Sequence, residues 1–123
     1  MVTGFELETA PLSDDEKKLV PIIIDGLLAH QGADKAIHGA AICKAVTAKY
    51  GKLTEPRLRK ITNFLRSAKI IPVIATSKGY YVSYNAEVIK KQIESLEQRR
   101  DAINTAIDGL IKWLPDSNQK PIV

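Results

Sequence analysis

The chain has 123 residues, 45% hydrophobic and 26% charged, which fits one folded domain with an appended element and excludes a disordered polyelectrolyte. A single cysteine, Cys43, excludes an internal disulfide and a cysteine-cluster zinc site, and two histidines are too few for a convincing metal centre, so neither metal nor cofactor is expected. The net charge of +4 is unevenly spread: residues 35–78 hold ten Lys and Arg against one acid, Glu55, while the remainder is net acidic, as expected where the middle of a chain meets a polyanion.

Residues 1–12 show no periodicity and read as an N-terminal arm. They are acidic and lack the basic-then-apolar layout of a leader. No apolar run approaches the roughly 20 residues that cross a bilayer, so a cytoplasmic, nucleoid-associated protein is expected. Ser13 followed by Asp14, Asp15 and Glu16 is a capping-box signature and opens a helix predicted over 14–30. Its apolar positions, Leu19, Val20, Ile22, Ile23, Ile24, Leu27 and Leu28, cover much of the circumference and predict burial, with a kink at Pro21. Lys35 to His38 read as a short strand. A second helix is predicted over 40–50, with Ile42, Ala45, Val46 and Tyr50 on one face and Gly51 as its stop. Thr54 as cap and Pro56 in the first turn start a third helix, with Leu58, Ile61, Phe64, Leu65 and Ala68 inward.

The stretch from Pro72 to Ser83, PVIATSKGYYVS, predicts a β-hairpin turning at Ser77-Lys78-Gly79, with Gly79 supplying positive φ. An isolated hairpin is barely stable in water, so this one must lean on the helices before it. Tyr80, Tyr81 and Tyr84 suit strand packing better than base stacking. Asn85 caps a last helix predicted over 86–114 and ended by Pro115, with a frayed tail over 116–123. The expected fold is therefore mainly α with a small β-sheet: an arm over 1–12, a winged helix-turn-helix over 13–84 and a long C-terminal helix over 85–115.

The span AICKAVTAKYGKLTEPRLRKITNFLRSAKIIPVIATSKGYYVS carries Arg57, Arg59, Ile61, Leu65 and Arg66 in its helix and Pro72, Val73, Ile74, Ser77, Gly79, Tyr80 and Tyr81 in its hairpin. It resembles the winged-helix domains of phage and prophage proteins. The resemblance covers about residues 13–100 and implies a DNA-binding regulator or replication-initiation factor of mobile-element type. Fold alone does not settle function.

Read from the residues, the third helix is the expected DNA reader. Its period turns Pro56, Arg59, Lys60, Asn63 and Ser67 outward, with Arg57 and Arg66 on the flanks. Arg59 suits a guanine edge, Asn63 an adenine edge, and Lys60 a phosphate or guanine. Thr54 and the first amides of that helix suit a phosphate, Lys44, Lys49 and Lys52 flank the backbone, and Lys78 puts a charge at the hairpin tip. No nucleophile, base and orienter can be assembled, and no small-molecule substrate is evident, so an enzyme is not expected. In the last helix, Ile89, Ile93, Leu96, Ile103, Ile107, Leu110 and Leu114, with Arg100 among them, recur at alternating spacings of four and three. This heptad seam predicts a homodimer, or else packing of the seam onto the first helix. The alternative function is a winged-helix protein-interaction module that uses the hairpin and the long helix and has no specific DNA site.

Overall fold

The computed structural model describes residues 10–115. Most of the predicted arm and the tail over 116–123 lie outside the described residues. The chain divides into two compact units, one up to Ile89 and one from Lys90.

In the first unit, helix α1 spans Asp14–Leu28 and opens on the expected capping box. Ser13 Oγ accepts from Glu16 N–H at 3.2 Å, and Glu16 Oε1 accepts from Ser13 N–H at 2.8 Å. The helix runs through Pro21 and ends two residues earlier than predicted. There Ala29 N–H turns back to the Gly26 carbonyl at 3.2 Å and Gln31 Nε2 donates to the Leu28 carbonyl at 3.1 Å, satisfying groups the last turn leaves open. The strand predicted over 35–38 is not formed as such. Ala33–Lys35 make one 3₁₀ turn, and only Ile37 is left extended to pair. Gly32, at φ 93°, accepts from Lys35 N–H at 3.1 Å, and this turn uses up the residues a longer strand would need.

Helix α2 spans Gly39–Lys49 and helix α3 spans Glu55–Ser67. Leu58, Ile61 and Leu65 of α3 are fully buried against Ile23 and Leu27 of α1 and Ile42, Cys43 and Val46 of α2, in one apolar core. Phe64 and Ala68, expected inward, are exposed, and Thr62 takes the inner position. At about 100° per residue, Phe64 lies about 100° round the helix from Leu65 and misses the narrow arc that 58, 61 and 65 define. On α2, Ala45 and Tyr50 are likewise exposed, and the buried arc is Ile42, Cys43 and Val46.

Strands β1 (Val73–Thr76) and β2 (Gly79–Val82) form an antiparallel hairpin, pairing Val73 with Val82, Ile74 with Tyr81, Ala75 with Tyr80 and Thr76 with Gly79. The fold is thus mainly helical with a small two-stranded antiparallel sheet. The hairpin leans on two things. Val73 and Val82 join the apolar core. The outer edge of β2 is occupied by the chain between α1 and α2: Ile37 and Tyr80 exchange backbone bonds at 2.9 and 2.8 Å, Gly32 N–H donates to the Val82 carbonyl at 3.0 Å, and Val82 N–H donates to the His30 carbonyl at 2.9 Å. Gly79, at φ 121°, is required twice, because a Cβ there would also overlap the Ile37 carbonyl.

Helix α4 spans Ala86–Ile111 and supplies most of the second unit. Asn85 caps it as expected, its Oδ1 accepting from Glu87 N–H at 2.9 Å and Val88 N–H at 3.2 Å. The helix ends at Ile111, not at 114. Trp113 and Leu114 donate to Leu110 and Ile111 at 3.0 Å, three residues back, in a tightened last turn. Pro115 disfavours the α conformation at Leu114, which keeps the helix from reaching that residue.

Candidate nucleic-acid interface

Three chain ends converge in the first unit: the start of α2, the start of α3 and the turn of the hairpin. A Cβ added at Gly39 would lie 3.1 Å from Glu55 Oε1 and 3.2 Å from the Tyr80 ring. The bridge between Ile37 and Tyr80 holds the hairpin against the residues that lead into α2. Gly39 thus marks a close approach, where a side chain would fit only if Glu55 and Tyr80 gave way by a few tenths of an ångström. Lys78 sits exposed one residue before Gly79, its N–H donating to Thr76 Oγ1 at 3.2 Å.

The cations fall into two groups. Lys44, Lys49, Lys52 and Lys78 are exposed, and Thr54, Arg59 and Asn63 are half-buried. Lys49 lies over the Tyr50 ring at 5.4 Å. Thr54 is the N-cap residue of α3 by position, yet its side chain makes no capping bond. Arg59 lies close enough to the Cys43 thiol to act on it. Burial pushes that thiol up, the Glu55 carboxylate adds to the rise, and the Arg59 charge opposes it. This places Arg59 on the side of α3 that faces α2.

The second group is used inside the fold. Lys60, expected to point outward to a phosphate or guanine, is buried, and its Nζ lies 2.7 Å from Glu16 Oε1. Arg57 Nε lies 3.2 Å from Glu16 Oε2, and its Nη1 donates to the Lys52 carbonyl at 3.2 Å. Arg66 Nε donates to the Val73 carbonyl at 2.9 Å and ties α3 to the base of the hairpin. The physical reason is Glu16. A buried carboxylate costs several kcal/mol unless paired, and α1 delivers this one against the polar side of α3. Burial would raise the Glu16 pKa, but hydrogen bonds from Lys60, the Ser13 amide and Arg57 outweigh it and bring it from 4.5 to about 2. Sequence reasoning read Glu16 as a cap only, and no local signal ties position 16 to positions 57 and 60. Farther along, Asn63, Phe64 and Ser67 line a groove with Ala10, Pro11, Leu12, Lys17 and Val20. The outward face of α3 is therefore narrower than its period implies.

Along the seam, Ile93, Leu96, Ile107, Leu110 and Leu114 are exposed, and Ile89 and Ile103 are half-buried. Leu114 lies beyond the helix and leaves the heptad register. Arg100 Nη2 lies 3.5 Å from Asp101 Oδ1 and 3.9 Å from Glu97 Oε2 of its own chain. Among the described residues no group of three or more potential metal ligands comes together, and no helix is long and apolar enough to cross a membrane. No family model matches the chain, and neither a curated protein nor a solved structure matches it.

Proposed function

We propose that the protein is a winged helix-turn-helix DNA-binding protein, acting on duplex DNA as a homodimer in the manner of a phage or mobile-element regulator or replication-initiation factor. The observation that carries this reading is the convergence of the starts of α2 and α3 with the hairpin turn, inside a stretch of ten cations and one acid. In it, α3 is the reader and the hairpin is the wing. Arg59 and Asn63 address base edges, with Thr54, Lys44, Lys49, Lys52 and Lys78 on phosphates. Arg57, Lys60 and Arg66 leave the set of direct contacts and hold the reader in place.

The test is anisotropy with labelled duplexes over a salt series. The slope of log affinity against log salt steepens by about 0.9 for each phosphate neutralised. Lys52→Ala and Lys78→Ala should each make it shallower by about that amount. Binding that ignores salt, or no binding at low salt, overturns the reading. A second reading, a protein-interaction module, is favoured by two observations: the burial of Lys60 and the groove at Asn63 both take surface away from the reader. Absence of duplex binding together with a stable wild-type fold would select it.

A further inference from the structure

Between Lys35 and Lys78 the sequence holds ten cations and one acid, Glu55. Phosphates repel a carboxylate, so an acid on a basic face that meets DNA needs a physical cause. Glu55 is the first residue of α3, and it is exposed. Its Oε1 lies 3.1 Å from where a Cβ of Gly39, the first residue of α2, would stand, and the Tyr80 ring lies 3.2 Å from the same point. Carboxylate, ring and the start of α2 therefore meet around one point, at the convergence that carries the proposed function. The Cys43 thiol of α2 feels both Glu55 and Arg59, so these two residues, one turn apart, lie on the side of α3 that meets α2.

The positive end of α3 favours an acid in its first turn, but it sets no demand on where the carboxylate points. Pairing within the fold is the use made of Glu16, which Lys60 and Arg57 hold. Glu55 is not used in that way: among the described residues no hydrogen bond or ion pair holds its carboxylate. Its acceptor oxygens are left for a donor from outside the chain.

We propose that Glu55 is a specificity-determining residue of α3 that accepts the N4 amine of a cytosine in the major groove. This role rests on the DNA-binding reading above and adds a base to it. A carboxylate can only accept. Guanine N7 and O6 and thymine O4 are acceptors and repel it, whereas cytosine presents its N4 donor. Adenine offers an N6 donor too, but its N7 acceptor lies beside it. Cytosine is therefore the edge a carboxylate suits best. The first residues of a helix-turn-helix reader are the ones that meet base edges, and Glu55 is the first of α3. The same charge weakens binding to every duplex by repelling phosphates, and the cytosine contact restores affinity at the right site alone, which sets specific binding apart from non-specific binding.

The test is binding-site selection from randomised duplexes, followed by anisotropy on selected and random duplexes at low and moderate salt. It compares wild type, Glu55→Ala, Glu55→Gln and Glu94→Gln, the last removing one exposed carboxylate from α4. Wild type should prefer cytosine at one base pair by about 5- to 150-fold. Glu55→Ala should lose that preference and bind random duplexes about three- to fivefold more tightly at low salt, a gain that shrinks as salt rises. Glu55→Gln keeps the size of the side chain and decides the matter should Glu55→Ala fold poorly: its amide should admit adenine, held through N6 and N7, at the same base pair. Glu94→Gln should keep the wild-type preference. A cytosine preference that survives in both Glu55 variants, or that Glu94→Gln loses as well, overturns the assignment while leaving DNA binding. So does a wild type that binds duplexes without preferring cytosine at any position. No binding of wild type to any duplex at low salt overturns the DNA-binding reading itself.

Discussion

Replacing Glu16 with Gln separates the two roles this side chain performs. Gln at the third helical position still completes a capping box, so the start of α1 keeps its cap. What it loses is the charge that Lys60 and Arg57 share. One amide oxygen can accept from Lys60 Nζ, but the amide nitrogen then faces Arg57 Nε, donor against donor. Lys60 is 7% exposed and is left as a buried ammonium without a counter-charge. Breaking a buried pair in this way costs about 3–5 kcal/mol. The pKa gives a second route to the magnitude. A fall from 4.5 to about 2, at about 1.4 kcal/mol per unit, amounts to about 3 kcal/mol of pH-dependent stability. The sign follows from the direction: a depressed carboxylate pKa gives stability that is fully present above about 4.5 and is lost as pH falls towards 2. Urea unfolding followed by circular dichroism, at pH 7 and again through pH 5 to 2, should show Glu16→Gln destabilised by about 3 kcal/mol at neutral pH and nearly level with wild type at the acid end. The double variant Glu16→Gln with Lys60→Met should recover most of the loss, since an apolar replacement removes the stranded charge. A single-variant loss under 1 kcal/mol, or a double variant no better than the single, would refute the view that this cluster organises the polar side of α3.

Three further outcomes are expected. Arg59→Ala should relax sequence preference by about 1–3 kcal/mol at one base pair without unfolding the protein, whereas Lys44→Ala should weaken all duplexes alike; a binding-site selection experiment separates the two patterns. Gly79→Ala should destabilise the first unit by at least about 1–3 kcal/mol in thermal unfolding, because its backbone lies at φ 121° and the new Cβ meets the Ile37 carbonyl. Ile103→Asp with Leu110→Asp should give a monomer by light scattering that keeps the melting of the first unit and loses affinity for paired half-sites.

The elements whose signals are local were legible in the sequence. The capping box at Ser13, the Asn85 cap, the Pro56 helix start and the hairpin turn at Lys78-Gly79 each rest on a few adjacent residues, and the structure has each one. What could not be read depends on which element meets which. The period of α3 places Lys60 outward, and period is the only information the sequence offers there. Its burial follows from α1 bringing Glu16 to it from 44 residues away. The same cause draws Arg57 and Lys60 away from the outward face of α3. Ile37 shows the reverse case: a four-residue strand was predicted, and an isolated bridge at Ile37 suffices, because a second bridge, Gln31 with Val82, adds the Gly32 and His30 bonds to β2.

Two copies joined through α4, as the proposed homodimer requires, bring two first units to one duplex. One turn of B-DNA is about 34–36 Å, the separation at which helix-turn-helix dimers meet two half-sites. Inverted half-sites should therefore bind with an affinity that depends on their spacing, and a spacing series of duplexes measures this. Affinity that does not depend on spacing would separate DNA binding from the pairing of α4.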